Sequence, residues 1–180
     1  GKKSEIEDFG KVVCVGGGVG VAPVYPITRA LYEAGNHVVS IIGARNRELL
    51  ILEEEMRKVS PQLVVMTADG SYGEKGFVTD ALRKILSQDT YARVIAIGPL
   101  VMMKAVSQVT KEFGVKTIVS LNPIMVDGTG MCGACRVEVG GETRFACVDG
   151  PEFDGHQVDW DLAQQRARMF LAQEKIADEA

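Results

Sequence analysis

Three cysteines in the last third of the chain, Cys132, Cys135 and Cys147, have the clearest chemical potential. Their spacing, C-x2-C-x11-C, places three soft sulfur ligands in a glycine-rich loop and a short hairpin, which suits an iron–sulfur cluster or zinc. A fourth ligand is needed, and Asp127 precedes Cys132 by five positions. These four residues reproduce the spacing of a ferredoxin-type site with a carboxylate in first place.

Two other interpretations of the cysteine cluster remain open. A redox-active C-x2-C dithiol should begin a helix early in a βαβ pattern, whereas Cys132 and Cys135 follow the last predicted parallel strand. Structural zinc accepts three cysteines and an aspartate, but such sites usually present two paired turns, and Cys147 stands alone. Cys14, in an apolar segment, is interpreted as a small core residue.

A glycine-rich segment follows the first predicted strand and leads into a helix. Glycine lets the backbone approach a diphosphate, and a helix N-terminus offers unpaired N–H groups and a partial positive charge. The segment differs from the common G-x-G-x-x-G pattern, because position 21 is valine and Pro23 lies in the first helical turn. A tight strand–helix turn is the alternative interpretation. The candidate dinucleotide-binding residues here are Gly16, Gly17, Gly18, Val19 and Gly20.

Loops after the other predicted strands should form the remaining walls of one crevice. Ligands of open α/β sheets bind outside the carboxyl ends of the strands, and these loops all follow such ends. Ordinary turn chemistry is the alternative for the loops after the third and fourth strands. The further candidate cofactor-binding residues are Ala44, Arg45, Asp69, Gly70, Gly98 and Pro99.

The elements that must position these residues alternate between β-branched runs and segments of helical period. This pattern is typical of βαβ units around a parallel sheet covered on both faces. It predicts an α/β fold with a five-stranded, Rossmann-like parallel sheet. The predicted strands are Lys11–Val15, His37–Ala44, Gln62–Thr67, Arg93–Ile97 and Lys116–Leu121. The predicted helices are Val21–Ala34, Arg47–Lys58, Gly76–Leu86 and Pro99–Phe113.

The pattern changes after Pro123, where the cysteine-bearing appendage begins. A hairpin is predicted from Arg136–Val139 and Glu142–Ala146 about a Gly-Gly turn, followed by a terminal helix over Trp160–Ile176. The predicted division is residues 1–10 as the remnant of a linker, 11–123 as an NAD(P)-binding domain, 124–158 as the cluster loop and hairpin, and 159–180 as the C-terminal helix.

Composition limits the classes of function. With 180 residues, 46% of them hydrophobic and 24% charged, the chain has material for one good core and a small appendage. A formal net charge of −4 provides no basic surface for nucleic acid. No stretch reaches the roughly 18 apolar residues of a membrane span, and the start lacks a signal-peptide core. We expect no nucleic-acid partner, no membrane span and a cytoplasmic location.

Several motifs together resemble the ferredoxin-reductase-like flavoproteins that are electron-transfer subunits of dihydroorotate dehydrogenase B and its relatives. Residues 16–23 resemble the family's dinucleotide loop, residues 67–79 its D-G-S-x-G-x-K-G-x-V-T segment, and Gly98-Pro99 its C-G-P. The family places cysteine where this chain has Asp127, and many members place cysteine where it has Ile97. With both departures, the sequence more closely resembles one branch of the family, the small, or alpha, subunit of NADH-dependent ferredoxin:NADP oxidoreductase.

The resemblance implies an oxidoreductase that passes electrons between NAD(P)H, FAD and a [2Fe-2S] cluster, toward ferredoxin or a larger flavin and iron–sulfur subunit. It implies no catalytic side chain. It places the diphosphate at the glycine loop, Arg45 and Asp69 near adenosine, and Gly98-Pro99 under the nicotinamide. Asp69 favours NAD(H), because NADP-dependent relatives tend to place Ser-Arg there, while Arg45 is available to a 2′-phosphate.

The same resemblance implies that FAD binds to an N-terminal β-barrel. The sequence begins about where that barrel would end, so we expect a C-terminal portion that does not oxidise NADH without added flavin. Two alternatives are an electron-transfer subunit of dihydroorotate dehydrogenase B and a non-enzymatic nucleotide-binding module with structural zinc.

Overall fold

The computed structural model describes residues 1–178 and contains one large sheet, a separate hairpin and helices on both faces of the sheet. The strands are β1 Lys11–Gly17, β2 His37–Ala44, β3 Gln62–Thr67, β4 Glu74–Lys75, β5 Arg93–Ile97, β6 Lys116–Ser120, β7 Arg136–Val139, β8 Glu142–Phe145 and β9 Glu152–Asp154. The helices are α1 Val21–Glu33, α2 Glu53–Val59, α3 Val78–Gln88, α4 Leu100–Glu112, α5 Ala146–Asp149, α6 Trp160–Ala167 and α7 Leu171–Asp178.

The large sheet has the strand order β4-β3-β2-β1-β5-β6-β9. All neighbouring pairs are parallel except β6 with β9. The five predicted strands form its centre, so the expected α/β fold is confirmed. Two short edge strands, β4 and β9, widen the sheet beyond the prediction. Strands β7 and β8 form the predicted hairpin as a separate antiparallel pair.

Alternate side chains of β1 enter two different core layers. Val13 and Val15 pack with residues of α3 and α4, such as Leu82 and Met103. On the other face, Val12 and Cys14 pack in the layer that contains the buried residues of α1 and α2. Each fully buried side chain of this size stabilises the fold by roughly 1.5–3 kcal/mol relative to its exposed state. Burial on both faces explains why the strand reads as a continuous apolar run.

The second predicted helix, Arg47–Lys58, is wrong in its first half. Residues 47–49 form a single 3₁₀ turn, and α2 begins only at Glu53. Leu52 adopts a left-handed conformation with φ 55°, which interrupts the helical path. The backbone N–H of Arg47 donates to the hydroxyl of Ser71 at 2.9 Å, so this segment is tied to the loop after β3.

The predicted terminal helix, Trp160–Ile176, is interrupted. It forms α6 and α7, separated by three residues at 168–170. The side chain of Asp159 accepts a hydrogen bond from the N–H of Leu162, and the indole N–H of Trp160 donates to the Gly155 carbonyl at 3.0 Å. The ring of Trp160 also packs against the core layer of α3 and α4, which holds the first half against the domain. Between residues 1 and 178, no helix has the combined length and hydropathy required to cross a membrane.

The polar segment before β1, predicted as a linker remnant, packs against the amino ends of the strands. The guanidinium of Arg93 lies 3.2 Å from the ring centroid of Phe9 and donates to the carboxylate of Glu5 at 2.8 Å. The N–H of Lys2 donates to the carbonyl of Gly150 at 2.7 Å. The segment therefore connects the base of the sheet to the residues that follow the cysteine-bearing hairpin.

Candidate functional site

A cleft of about 800 Å³ opens at the carboxyl ends of β1, β2, β3 and β5, where the sequence predicted a dinucleotide site. Its size is typical of a site for a small molecule or cofactor. Six predicted residues line it: Gly17, Gly18, Val19, Ala44, Arg45 and Pro99. Residues that were not predicted also line it, among them Leu49, Phe77, Thr79, Val101 and Met102. All of these residues lie in the loop or the first helical turn that follows a strand, and this position is the feature of the sequence that could have identified them.

The glycine segment divides into residues that face the cleft and residues that allow the turn to pack. Gly18 has φ +55°, and a Cβ atom there would meet no protein atom within 4 Å. A Cβ on Gly20 would overlap the carbonyl of Ile97, and one on Gly16 would lie 2.9 Å from the Val21 side chain. Gly16 and Gly20 therefore serve the close approach of strand, turn and helix, while Gly18 borders open space.

The loop after β5 approaches the glycine segment closely. A Cβ on Gly98 would lie 2.7 Å from the methyl carbon of Met102 and 3.2 Å from the Cα of Gly17. Gly16 is opposite Ile97 in the parallel pair of β1 and β5, which brings the two loops together. Met102 therefore packs between two glycines at the floor of the cleft.

The loop after β3 lies beside the cleft, and Asp69 and Gly70 are not among its lining residues. The Asp69 carboxylate accepts hydrogen bonds from the N–H and the hydroxyl of Ser71, at 2.9 and 2.7 Å, which lower the pKa of Asp69. Its N–H donates to the carbonyl of Arg45 at 3.2 Å. A neighbouring polar cavity of about 520 Å³ contains Arg47, whose guanidinium lies 5.2 Å from the ring centroid of Tyr72.

The first two candidate metal ligands lie in an exposed loop between β6 and β7. Asp127 accepts a hydrogen bond from the N–H of Thr129 at 2.8 Å. This bond, followed by a smaller contribution from the Cys132 thiol, lowers the pKa of Asp127. Gly128 and Gly130 adopt φ values of 78° and 85°, so the loop uses conformations that favour glycine. The loop therefore brings Asp127 and Cys132 together as a pair.

The other two candidate ligands meet where the hairpin joins its flanking elements. Cys135 is 2% exposed and directly precedes β7, and Cys147 lies in α5, directly after β8. The Cys147 N–H donates to the Cys135 sulfur at 3.5 Å, and hydrogen bonding with Cys135 raises the pKa of the Cys147 thiol. A second N–H, that of Ala134, donates to the Cys132 sulfur at 3.5 Å.

The four predicted ligands thus meet as two pairs. Among the side chains of residues 1–177, no three His, Cys, Asp or Glu groups converge closely enough to hold a metal ion. All four cysteines of the chain are free thiols. Three thiols, a carboxylate, glycines that leave room and N–H groups directed at two sulfurs form a donor set that fits an iron–sulfur cluster.

Comparison with protein families gives two matches. Residues 14–108 match the oxidoreductase NAD-binding domain. Residues 122–159 match the iron–sulfur cluster binding domain of dihydroorotate dehydrogenase B. The cleft and the cysteine loop therefore lie in regions that match separate cofactor-binding families.

Individual relatives extend beyond this chain. The electron transfer subunit homolog of dihydroorotate dehydrogenase B (NAD(+)) from Thermotoga maritima is 53% identical over 179 residues, which are 99% of this chain and 63% of that protein. The corresponding subunit from Bacillus velezensis is 36% identical over 157 residues, covering 85% of this chain and 59% of that protein. This chain thus spans about three fifths of these relatives.

A solved structure has nearly the same fold. One chain of the NADH-dependent reduced ferredoxin-NADP oxidoreductase, a structure described in relation to flavin-based electron bifurcation, superimposes with a TM-score of 0.93 at 51% identity. The match covers 99% of this chain and 64% of that chain.

Proposed function

The chain belongs to the oxidoreductase NAD-binding domain family, among the relatives of the dihydroorotate dehydrogenase B electron-transfer subunit, and from this premise we propose that it carries electrons between NAD(H) and a [2Fe-2S] cluster. The observation that carries the proposal is the meeting of Asp127 with Cys132 and of Cys135 with Cys147 in one loop and hairpin. A cleft for a dinucleotide opens on the same chain.

Asp127, Cys132, Cys135 and Cys147 would hold the cluster, which when bound accepts and returns one electron at a time. The N–H groups of Ala134 and Cys147 would stabilise charge on the sulfurs. The loop is exposed, with Met131 at 88%, so a redox partner has direct access to this side of the site.

In the cleft, Gly17, Gly18 and Val19 would bind the diphosphate near the N-terminus of α1. Gly98, Pro99 and the side chain of Met102 would lie against the nicotinamide. We assign the adenosine half to Arg45, Asp69 and Gly70. The Asp69 carboxylate favours NAD(H), because it would accept hydrogen bonds from the ribose hydroxyls and would repel a 2′-phosphate. Arg45 is the side chain that would bind a 2′-phosphate.

Flavin is needed between the two carriers. Nicotinamide gives up two electrons together, whereas a [2Fe-2S] cluster accepts one, so an intermediary must do both. We propose that FAD, a larger flavin and iron–sulfur subunit and ferredoxin complete the system. The similar chain from the NADH-dependent reduced ferredoxin-NADP oxidoreductase favours this assignment. The names of the Thermotoga and Bacillus relatives favour a second candidate, electron transfer to dihydroorotate dehydrogenase B.

Metal and sulfide analysis of anaerobically purified protein, with EPR after dithionite reduction, tests the proposal. We expect about two irons and two sulfides per chain. Asp127→Cys should retain the cluster with a changed potential, because thiolate and carboxylate donate differently. Asp8→Cys, which adds a cysteine at another exposed position, is the control. A colourless protein with stoichiometric zinc overturns the proposal, and an unchanged signal and potential in Asp127→Cys shows that Asp127 is not a ligand.

A further inference from the structure

Arg166, in the last turn of α6, reaches the loop that joins two of the candidate cluster ligands. Its Nη2 donates a hydrogen bond to the carbonyl oxygen of Ala134 at 3.0 Å, across 32 positions of sequence. Ala134 lies between Cys132 and Cys135, and its carbonyl belongs to the peptide bond that leads into Cys135. The arginine therefore holds the peptide that connects two proposed ligands.

The same residue of the loop is held from its other side. The N–H of Ala134 donates to the sulfur of Cys132 at 3.5 Å. With the carbonyl bound by Arg166 and the N–H directed at sulfur, both polar groups of Ala134 have partners. The distance and angle between Cys132 and Cys135 then depend on the position of Arg166.

The position of Arg166 is itself well determined, because α6 is fixed at its start. Asp159 caps the helix through the N–H of Leu162 at 2.9 Å, and the Trp160 indole N–H is bound to Gly155. Asp161 forms an ion pair with Lys104 of α4 at 2.6 Å. A helix docked in this way presents the arginine to the loop from a rigid element.

The charge of Arg166 has no carboxylate partner within ion-pair distance among the side chains of residues 1–177, in contrast to Arg83, Arg93 and Arg144. Its Nε is buried and makes no hydrogen bond to the described residues. Arg166 also borders a cavity of about 30 Å³ whose walls are mainly apolar, with Leu121 and Val137 among them, and which Arg136 borders as well. An unpaired cation in such surroundings is screened less than one in water.

We propose that Arg166 is a positioning residue for the iron–sulfur ligands and that its charge raises the reduction potential of the cluster. The inference rests on the proposed cluster at Asp127, Cys132, Cys135 and Cys147. Reduction adds one electron and thus one negative charge to the cluster, with no bond made or broken in the protein. A nearby cation stabilises the reduced state more than the oxidised state.

A second arginine contacts the same loop less closely. Arg136 donates to the carbonyl of Gly133 at 3.4 Å from an exposed position. A long hydrogen bond from a solvated side chain contributes little. Arg166 is therefore the stronger determinant of the loop.

The test measures two properties of the purified, cluster-containing protein: the midpoint potential by EPR-monitored titration, and the rate of cluster loss to an iron chelator. In Arg166→Gln we expect a roughly tenfold lower equilibrium constant for reduction, a shift of about 59 mV to more negative potential for one electron. Cluster loss should also be faster. Arg166→Lys keeps the charge but lacks the planar donor group, so its potential should stay near that of the wild type while loss is faster.

Arg168→Gln is the matched control, because it removes the same charge from an exposed position two residues away. It should change neither property. A wild-type potential in Arg166→Gln, or a wild-type loss rate in Arg166→Lys, overturns the proposal for Arg166 and leaves the cluster in place. A wild-type protein without iron and sulfide instead overturns the proposed cluster, and the role of Arg166 with it.

Discussion

The dinucleotide cleft and the cysteine loop reach their geometry by different means. At the cleft, backbone position is set by parallel strands, and Val12, Val13, Cys14 and Val15 of β1 have no exposed surface. The loop at residues 124–135 contains no helix or strand and exposes apolar side chains such as Val126, at 74%. The strands of the sheet position the first site, whereas the second site lies in an exposed loop and is positioned by local hydrogen bonds, such as those that Asp127 and the Cys135 sulfur accept.

The largest effect should come from removing a proposed ligand in the loop. Cys135→Ala should abolish the cluster and lower hydrogen-exchange protection over residues 124–149, because metal binding contributes on the order of 10 kcal/mol to such segments. The sheet should stay folded. Iron content and site-resolved hydrogen exchange measure both effects.

The control for this experiment is Cys14→Ala. Burial raises the pKa of Cys14 to about 12, so it remains a neutral thiol and does not bind metal. We expect full iron content and a loss of roughly 1 kcal/mol in the free energy of unfolding. Loss of iron in Cys14→Ala, or retention of iron in Cys135→Ala, would contradict the assignment of the metal site to the cysteine loop.

A smaller effect should follow from blocking the cleft. Gly18→Val places a side chain in space with no protein atom within 4 Å, where the diphosphate should approach, so we expect NADH affinity to fall at least roughly tenfold. Gly114→Val is matched to it, because Gly114 also has positive φ and open space but lies after α4. Both variants should lose similar stability from backbone strain. Equal NADH affinity in the two, measured by calorimetry, contradicts the assignment of the cleft.

The smallest effect concerns the segment before β1. The hydrogen bond and charge of Arg93 lower the pKa of Glu5. Because the folded-state pKa lies below the unfolded value, the pair stabilises the fold above about pH 4.3, and the contribution disappears as the pH falls below that value. Glu5→Gln should therefore lower the free energy of unfolding by about 0.5 kcal/mol at pH 7, since Glu5 is largely exposed.

Urea unfolding at pH 7, 5 and 3.5 checks this pH dependence. The difference between wild type and Glu5→Gln should narrow toward zero at the lowest pH. Glu7→Gln, at a nearby exposed position with no ion pair in the described residues, serves as control. A difference that is constant with pH indicates that the ion pair does not stabilise the segment.

The order of apolar and polar residues along the chain was enough to predict the central strands of the sheet. The five central strands are continuous apolar runs because helices cover both faces of the sheet. Local pattern failed where tertiary contacts decide the conformation. At residues 47–52, helical periodicity is overridden by the bond from Arg47 to Ser71 and by the left-handed Leu52.

Edge strands and site walls were harder to predict. β4 has two residues and β9 three, too few for a periodic signal, and both exist only through pairing with β3 and β6. The glycine-rich segment identified Gly17, and the family resemblance identified Arg45. Neither identified Met102, which carries no motif and reaches the cleft because α4 begins beside Gly17. Likewise, spacing grouped the four ligands but did not indicate that they would meet as two pairs.

The bonds between the first residues and those after α5 have a consequence for folding during synthesis. The hydroxyl of Ser4 is bonded to Glu152, 148 positions away, and Lys2 is bonded to Gly150. Synthesis proceeds at roughly 5–20 residues per second, so about 7–30 seconds separate the exit of these partners from the ribosome. Contacts this distant in sequence also form slowly, since a long loop must close first. The segment before β1 therefore reaches its final place only after residues 148 positions later have been made.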